Sequence, residues 1–480
     1  MKQNKIIKYI LMCAVFLIFS GCAAQTQKTP QYDQLEFSSV KELPKPETES
    51  FTLGNGIKCF LLEDHELPLI KVKLRIRSGK VEVPEGKEGL AEIAGDAMRS
   101  GGSSKYPGKK LNRILENNAA NLNISFGLSS GKAGLNVLKK DFPELLPVFV
   151  DVLKNPAFPE EKIGLAKQRL NTRISRRNDG QKEIGLRKFK KLVYGKESVY
   201  SRVPEYETVE SVTKSDLKGF QQAAFKGQKM IMGVVGDFDS QDMKKKLQRA
   251  FSAFPAGSED KEFKDEFPQV EDNREKTINL VDKPDVNQSF ILIGHKGGIR
   301  TNPDYAKLQV MNKILSGGFS GRLFENIRTK QGLAYSVFGR YGCNYYYPGT
   351  FFVGLETKSA STKKAIQKVQ REIKRLQKNG TDSEELEQAK SQFNNSLVFK
   401  YSSSEKIMSR LLHYEYRNMP KDSFQKLVQG IREVSVSDIQ EVAEQYIDPE
   451  RFQILVVGKK SKVYPQLQKL GKVNMLELEP

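Results

Sequence analysis

Apolar and charged residues alternate through "LIKVKLRIRSG" (Leu69 to Gly79), and a similar run, "QSFILIGHKGG", begins at Gln288. Both predict strands. Long helical patterns such as "FPELLPVFVDVLK" (Phe142 to Lys154) lie between such runs. Strands mixed with helices, without strict βαβ alternation, favour an α+β sandwich over a doubly wound sheet. One further helix, "GLAEIAGDAMRSGG" (Gly89 to Gly102), runs from apolar-periodic residues into a Gly/Ser turn, as an active-site helix would.

The pattern is written twice. "VTKSDLKGFQQAAFKGQKMIMGVVGD" in the first half matches "VSVSDIQEVAEQYIDPERFQILVVGK" in the second, placing Asp216 against Asp438 and Gly236 against Gly458 at one offset of 222. Each copy reads as a Ser-Asp helix cap, an amphipathic helix, a short turn and a buried strand. "FPEEKIGLAKQRLNTRI" echoes "TDSEELEQAKSQFNNSL", with Ala166 facing Ala389, and "MRSGGSSKYPGKKL" echoes "ILSGGFSGRLFENI". Two homologous α/β-sandwich domains are expected, 45–255 and 278–480, each a mixed, largely antiparallel sheet with helices on one face. The join at 256–277 is charged and aperiodic, as an exposed linker would be.

The first residues read differently. Lys2, Lys5 and Lys8 precede "YILMCAVFLIF", an apolar stretch too short to span a bilayer, which ends in "FSGC". This resembles a bacterial lipobox, so 1–21 is expected to be a signal peptide, Cys22 the lipid-modified residue and 22–44 a flexible tether. An ordinary secretory signal cleaved nearby is the alternative. Among four cysteines, only Cys59 and Cys343 lie outside these segments, too few for a disulfide framework. The formal charge is +20, but the lysines are scattered among acids, so no nucleic-acid partner is expected. The chain has three histidines, His65, His295 and His413, none in a ligand spacing.

From Phe51 to Lys460 the chain resembles the insulinase/pitrilysin metallopeptidase family. The likeness is carried by "FTLGNGIKCFLLEDHELPLIKVKLRIRSG", "FPEEKIGLAKQRL", the terminal "VVG" strands and above all "GGFSGRLFENIRTKQGLAYSV". Active members hold zinc with an H-x-x-E-H helix that follows a "GLA"-like start, plus a distal Glu. On that pattern the first His position is Glu92, the general-base position Gly95, the second His position Asp96 and the distal Glu position Arg173. The resemblance therefore implies a degenerate site with no metal and no catalytic residue in this chain, Arg173 filling the vacancy by pairing with Glu92 or Asp96.

The second half keeps the family's arginine–tyrosine pair as Arg328 and Tyr335, which in the family reach the substrate backbone. Asn123 stands in the segment that places a strand beside bound peptide, although Ala119 and Ala120 replace the usual Gly-Gly. The resemblance implies a half-clamshell closing on a zinc-motif-bearing insulinase-family subunit around unfolded peptide, with zinc only in that partner. The expected setting is the bacterial envelope, held by a lipid anchor and facing the periplasm, the outer membrane favoured over the inner. A structural or peptide-binding scaffold with no role in proteolysis is the alternative.

Overall fold

A computed structural model describes residues 48–257, 263–271, 275–420 and 422–479; the expected signal peptide, Cys22 and the whole of the tether lie outside them. In the first half, β1 (Glu49–Thr52), β2 (Lys58–Glu63), β3 (Leu69–Ile76), β4 (Asn121–Phe126), β5 (Gly131–Leu138) and β6 (Met230–Gly236) form one sheet in the order β1-β2-β6-β3-β5-β4. All its pairs are antiparallel except β2 with β6. The second half contributes β7 (Thr277–Asp282), β8 (Gln288–Lys296), β9 (Gly298–Ile299), β10 (Ser336–Tyr341), β11 (Cys343–Asn344), β12 (Thr350–Lys358), β13 (Gln453–Gly458) and β14 (Val473–Leu476). Its main sheet runs β14-β7-β13-β8-β12-β10, with β9 and β11 paired separately.

Five strands follow the same spatial order in both sheets, β2-β6-β3-β5-β4 in one and β7-β13-β8-β12-β10 in the other, and the parallel pair β2–β6 has its counterpart in β7–β13. Gly236 lies opposite Glu63, and Gly458 opposite Asp282, at the matching ends of those pairs. The repeated helix caps differ from the expectation in one residue. Thr213 and Ser435, not the serines next to the aspartates, are the N-caps, and Asp216 and Asp438 close capping boxes from the third helical position. That spacing lets each side chain satisfy a free N–H of the first turn, which an adjacent Ser-Asp pair does not.

Along β3 the alternation separates two faces. Ile70, Val72, Leu74 and Ile76 are buried in the main core of the first half, against the helix Leu90–Gly101 and its neighbours. Lys71 and Lys73 point the other way and both hold Glu405, at 2.6 and 2.7 Å. Glu405 belongs to the helix Ser404–Tyr416 of the second half, whose Met408, Leu412 and Tyr416 pack on Leu62, Ile231 and Val235. The exchange is reciprocal. The first-half helix Gln181–Tyr194 sets Ile184, Phe189 and Val193 on Phe290, Leu292, Leu455 and Val457 of the second sheet.

The expectation of helices on one face is corrected accordingly: the opposite face of each sheet is covered by a helix from the other half. Glycines permit the close approach. A Cβ on Gly233 would meet Met408 Sδ at 2.3 Å, and one on Gly185 would meet the Phe290 ring at 2.6 Å. The described residues of both halves consequently cluster as one unit. The join is not simply exposed either. Phe267 is buried and stacks on Tyr346 with ring centroids 4.7 Å apart, and Phe263 meets Tyr416 edge-on at 5.9 Å. Aromatic rings tie down a segment whose composition is otherwise charged.

Cys59 and Cys343 are free thiols, the first pushed up to about 12 and the second to about 11 by burial. Among the described residues no helix is long and apolar enough to cross a membrane.

Candidate functional site

Gly89 starts the helix Leu90–Gly101 at φ 112°, where an L side chain is strained, and a Cβ there would also crowd Leu170 Cδ2 at 2.9 Å. Leu90, Ala91, Ile93, Ala94, Ala97 and Met98 bury the apolar face. Glu92, whose side chain keeps 15% of its exposure, ion-pairs with Lys80 Nζ. Asp96 lies nearer solvent, with Arg169 Nη1 3.7 Å from Oδ2. Gly95 faces β4, where a Cβ would stand 3.3 Å from the Ile124 carbonyl oxygen. The helix therefore approaches the strand more tightly than a longer residue at 95 allows.

The expectation for Arg173 is corrected. It is exposed on the helix Glu160–Ser175 and, among the described residues, ion-pairs with neither carboxylate. Arg169, one turn earlier, takes Asp96, and Lys80, from a separate 3-10 turn, takes Glu92. Alignment to a ligand position identified a cation on the correct helix but not the turn that reaches the carboxylate. Lys80 carried no signal, because nothing in the sequence ties its turn to this helix.

A cavity of about 440 Å³ opens beside Glu92, lined by Lys80, Glu88, Arg187, Lys190 and Arg202 with Phe126, Leu128 and Tyr200 among its apolar walls. Arg187 donates to the Arg177 carbonyl at 2.9 Å and to Asn178 Oδ1 at 2.5 Å, leaving its Nε buried without an acceptor. Arg202 Nε and Glu92 Oε2 are buried and unpartnered in the same way. Desolvation lowers the Lys190 pKa, and Lys80 and Arg340 lower it further.

This donor set does not fit Zn²⁺. Neutral imidazoles are missing, both candidate carboxylates face cations, and Gly95 has no side chain to polarise water. No group of three or more His, Cys, Asp or Glu residues with metal-ligand spacing occurs among the described residues.

In the second half, the stretch Phe324–Thr329 is wound as a π-helix. Arg328 lies in its last turn, with its guanidinium 4.6 Å from the centroid of the Phe324 ring, and Phe319 packs edge-on against that ring at 4.8 Å. Tyr335 leads into the edge strand β10. Its N–H donates to the Glu356 carbonyl at 2.9 Å, while its side chain is left 76% exposed, as Phe319 is at 80%. The structure thus presents both Arg328 and Tyr335 at the surface.

What holds this segment is Arg322, a residue of the same motif that sequence reasoning passed over. Arg322 is buried and grips Glu385 bidentately, Nε to Oε1 at 2.7 Å and Nη2 to Oε2 at 2.5 Å. A lone arginine between Gly321 and Leu323, amid apolar residues, was the available signal.

Asn123 lies exposed on β4, the free edge of the first sheet. That edge is partly occupied: Arg99 Nε donates to the Leu122 carbonyl at 2.8 Å, and Nη1 to Asn112 Oδ1 at 2.9 Å. Just before the strand, Ala119 is held at φ 46°, where L-residues are strained. Ala119→Gly is expected to raise stability by about 0.5–1 kcal/mol, the relief of that strain exceeding the added unfolded-state entropy. Chemical denaturation checks it; a lower midpoint would contradict the assignment of strain.

Comparisons with known proteins agree with this architecture. The profile "Insulinase (Peptidase family M16)" matches residues 59–201, and "Peptidase M16 inactive domain" matches 211–393. The "Non-peptidase homolog YmxG" of Helicobacter pylori is 25% identical over 83% of this chain and 91% of its own. An "Uncharacterized zinc protease" of Rickettsia bellii is 24% identical over 72% of this chain and 82% of its own. Among solved structures, a peptidase M16 inactive domain from Pseudomonas fluorescens superposes with a TM-score of 0.76 at 20% identity, over 86% of this chain and 98% of that one. With both family profiles matched in order along two copies of one fold, the chain belongs to the insulinase family, peptidase family M16.

Proposed function

We propose that this chain is a catalytically silent insulinase-family protein that holds peptide for a zinc-motif-bearing subunit of the same family. The observation that carries the reading is the state of the helix Leu90–Gly101, whose two carboxylates face Lys80 and Arg169 where active members place zinc. Exposed Arg328 and Tyr335 support the second part, since they are free to meet a peptide backbone. The H. pylori relative's description as a non-peptidase homologue is in keeping. Attachment to the bacterial envelope through a lipid on Cys22, with the folded part facing the periplasm, belongs to the same proposal and rests on the lipobox-like "FSGC". Zinc belongs to the partner, and nucleic acid is no part of the scheme.

The test is reconstitution. The chain alone should leave peptides uncut, and mixing it with a zinc-motif subunit should raise that subunit's peptidase rate. Arg328→Ala should reduce the gain roughly 100-fold, the usual cost of losing a donor to developing carbonyl charge. An unchanged rate on mixing would defeat the proposal. One observation favours a scaffold with no role in proteolysis: Arg99 already occupies an edge carbonyl of β4. Tight peptide binding without activation of any peptidase would identify that second reading.

A further inference from the structure

His413 lies among cations. Burial first, then Arg417, Arg300, Arg75 and Arg410, hold its imidazole down to about 3. The same field reaches Lys400, lowered by burial and then by Arg410, Lys313 and Arg300, and Arg417, lowered by burial and then by Arg75. Among the described residues no carboxylate ion-pairs with Arg75, Arg300, Lys400, Arg410 or Arg417.

Aromatic rings take the place of counter-charges. Arg75 lies over Tyr416 at 5.7 Å, Arg300 over Tyr305 at 4.8 Å, Arg410 over Tyr401 at 4.9 Å and Arg417 over Tyr345 at 5.0 Å. A guanidinium stacked on its face keeps its N–H edge turned to in-plane acceptors, and those met here are neutral: Arg75 Nη1 donates to Ser130 Oγ and Arg410 Nε to the Lys400 carbonyl, each at 3.4 Å, while Arg417 Nη1 meets the His413 ring. Arg417 Nε is in fact buried with no acceptor.

The cluster is assembled by the exchanged helix. Arg410 lies on the helix Ser404–Tyr416 and Arg417 caps it, Arg75 comes from β3 beneath, and Arg300 precedes the helix Tyr305–Ser316. Partly desolvated like charges raise the energy of the folded chain unless an anion meets them.

We infer that this cluster is a docking surface for an acid-rich polypeptide segment, whose carboxylates the stacked guanidinium groups receive. Nucleic acid is disfavoured, because the tyrosine faces that would stack bases are already covered by arginine. The inference stands apart from the zinc-partner proposal, since it needs only this chain.

Fluorescence anisotropy of the full chain tests it with three labelled probes: a glutamate-rich peptide, its glutamine counterpart of equal length, and a single-stranded oligonucleotide. The glutamate peptide should bind at least tenfold tighter than the glutamine peptide and weaken steeply with salt. The double variant Arg300→Gln/Arg410→Gln should bind it at least tenfold more weakly yet melt no lower than the parent, because mutual repulsion is relieved. Equal binding of the two peptides, or tighter binding of the oligonucleotide, overturns the inference, and that comparison stands whether or not the variant folds. A variant that melts lower while binding unchanged overturns it too, making the arginines structural. Failure to activate a zinc subunit would leave these results untouched.

Discussion

Gly236→Ala is expected to destabilise the chain by about 3 kcal/mol, through a strained backbone and an unavoidable overlap together. Gly236 ends β6 at φ 141°, and a Cβ there would fall 1.9 Å from the Leu69 carbonyl oxygen and 3.0 Å from Ile70 Cα. Both obstacles are backbone. The Leu69 carbonyl is fixed as acceptor of the Asp237 N–H at 2.9 Å, and Ile70 is the register partner of Gly236 in the sheet. No rotamer change relieves such a contact.

The matching glycine of the second copy sets a control. Gly458 has no positive φ, and the nearest obstacle to a Cβ is Ser289 Oγ at 2.9 Å, a side-chain atom. Gly458→Ala should cost only about 1 kcal/mol. Urea unfolding of the two variants side by side measures the difference; equal losses would show that the copies share one constraint and that the Leu69 contact is not the cause.

A second large effect is expected from Glu385→Ala, which should remove about 3–5 kcal/mol. Glu385 takes both ends of the buried Arg322 fork and accepts from Thr381 Oγ1 at 2.5 Å, while Arg322 Nη2 also donates to the Gly380 carbonyl at 2.8 Å. Truncating the glutamate leaves a guanidinium buried with one carbonyl for company, and the cost is mainly that of the stranded charge. Arg322 precedes the π-helix that carries Arg328, so the variant should also blunt activation of a zinc subunit beyond what its stability alone explains. Thermal melting and reconstitution together test this. A melt within about 1 kcal/mol of the parent, as for an exposed pair, would refute the assignment.

Much of the architecture was legible because a duplicated chain carries its own check. The constant offset joining Gly236 to Gly458 identified equivalent strands, and both occur at the ends of equivalent parallel pairs. Periodicity could not reveal which sheet a helix covers. The helix Gln181–Tyr194 shows an apolar stripe whether Ile184 and Phe189 meet their own sheet or, as found, Phe290 and Leu292 of the other. Phe263 and Phe267 were hidden in the join for a related reason: two rings in a charged segment do not make an apolar pattern, and only their contacts with Tyr346, edge-on for Phe263 and stacked for Phe267, give them meaning.

At the candidate site, the residue types at positions 92, 95 and 96 were readable, and their loss of imidazoles was the informative feature. The cations that meet them were not. Lys80 and Arg169 come from segments whose approach depends on how the Gly89 turn and the tight Gly95 contact set the helix against β4. Arg99 illustrates the same limit, since its bond to the Leu122 carbonyl depends on where an edge strand exposes its backbone.

The central proposal is that the helix Leu90–Gly101 does not hold zinc. Elemental analysis of the purified chain after equilibration with zinc tests it most directly. The expected result is metal well below one ion per chain, with a thermal melt that a chelator leaves unchanged. One tightly held zinc per chain, lost in Glu92→Ala or Asp96→Ala, would contradict it.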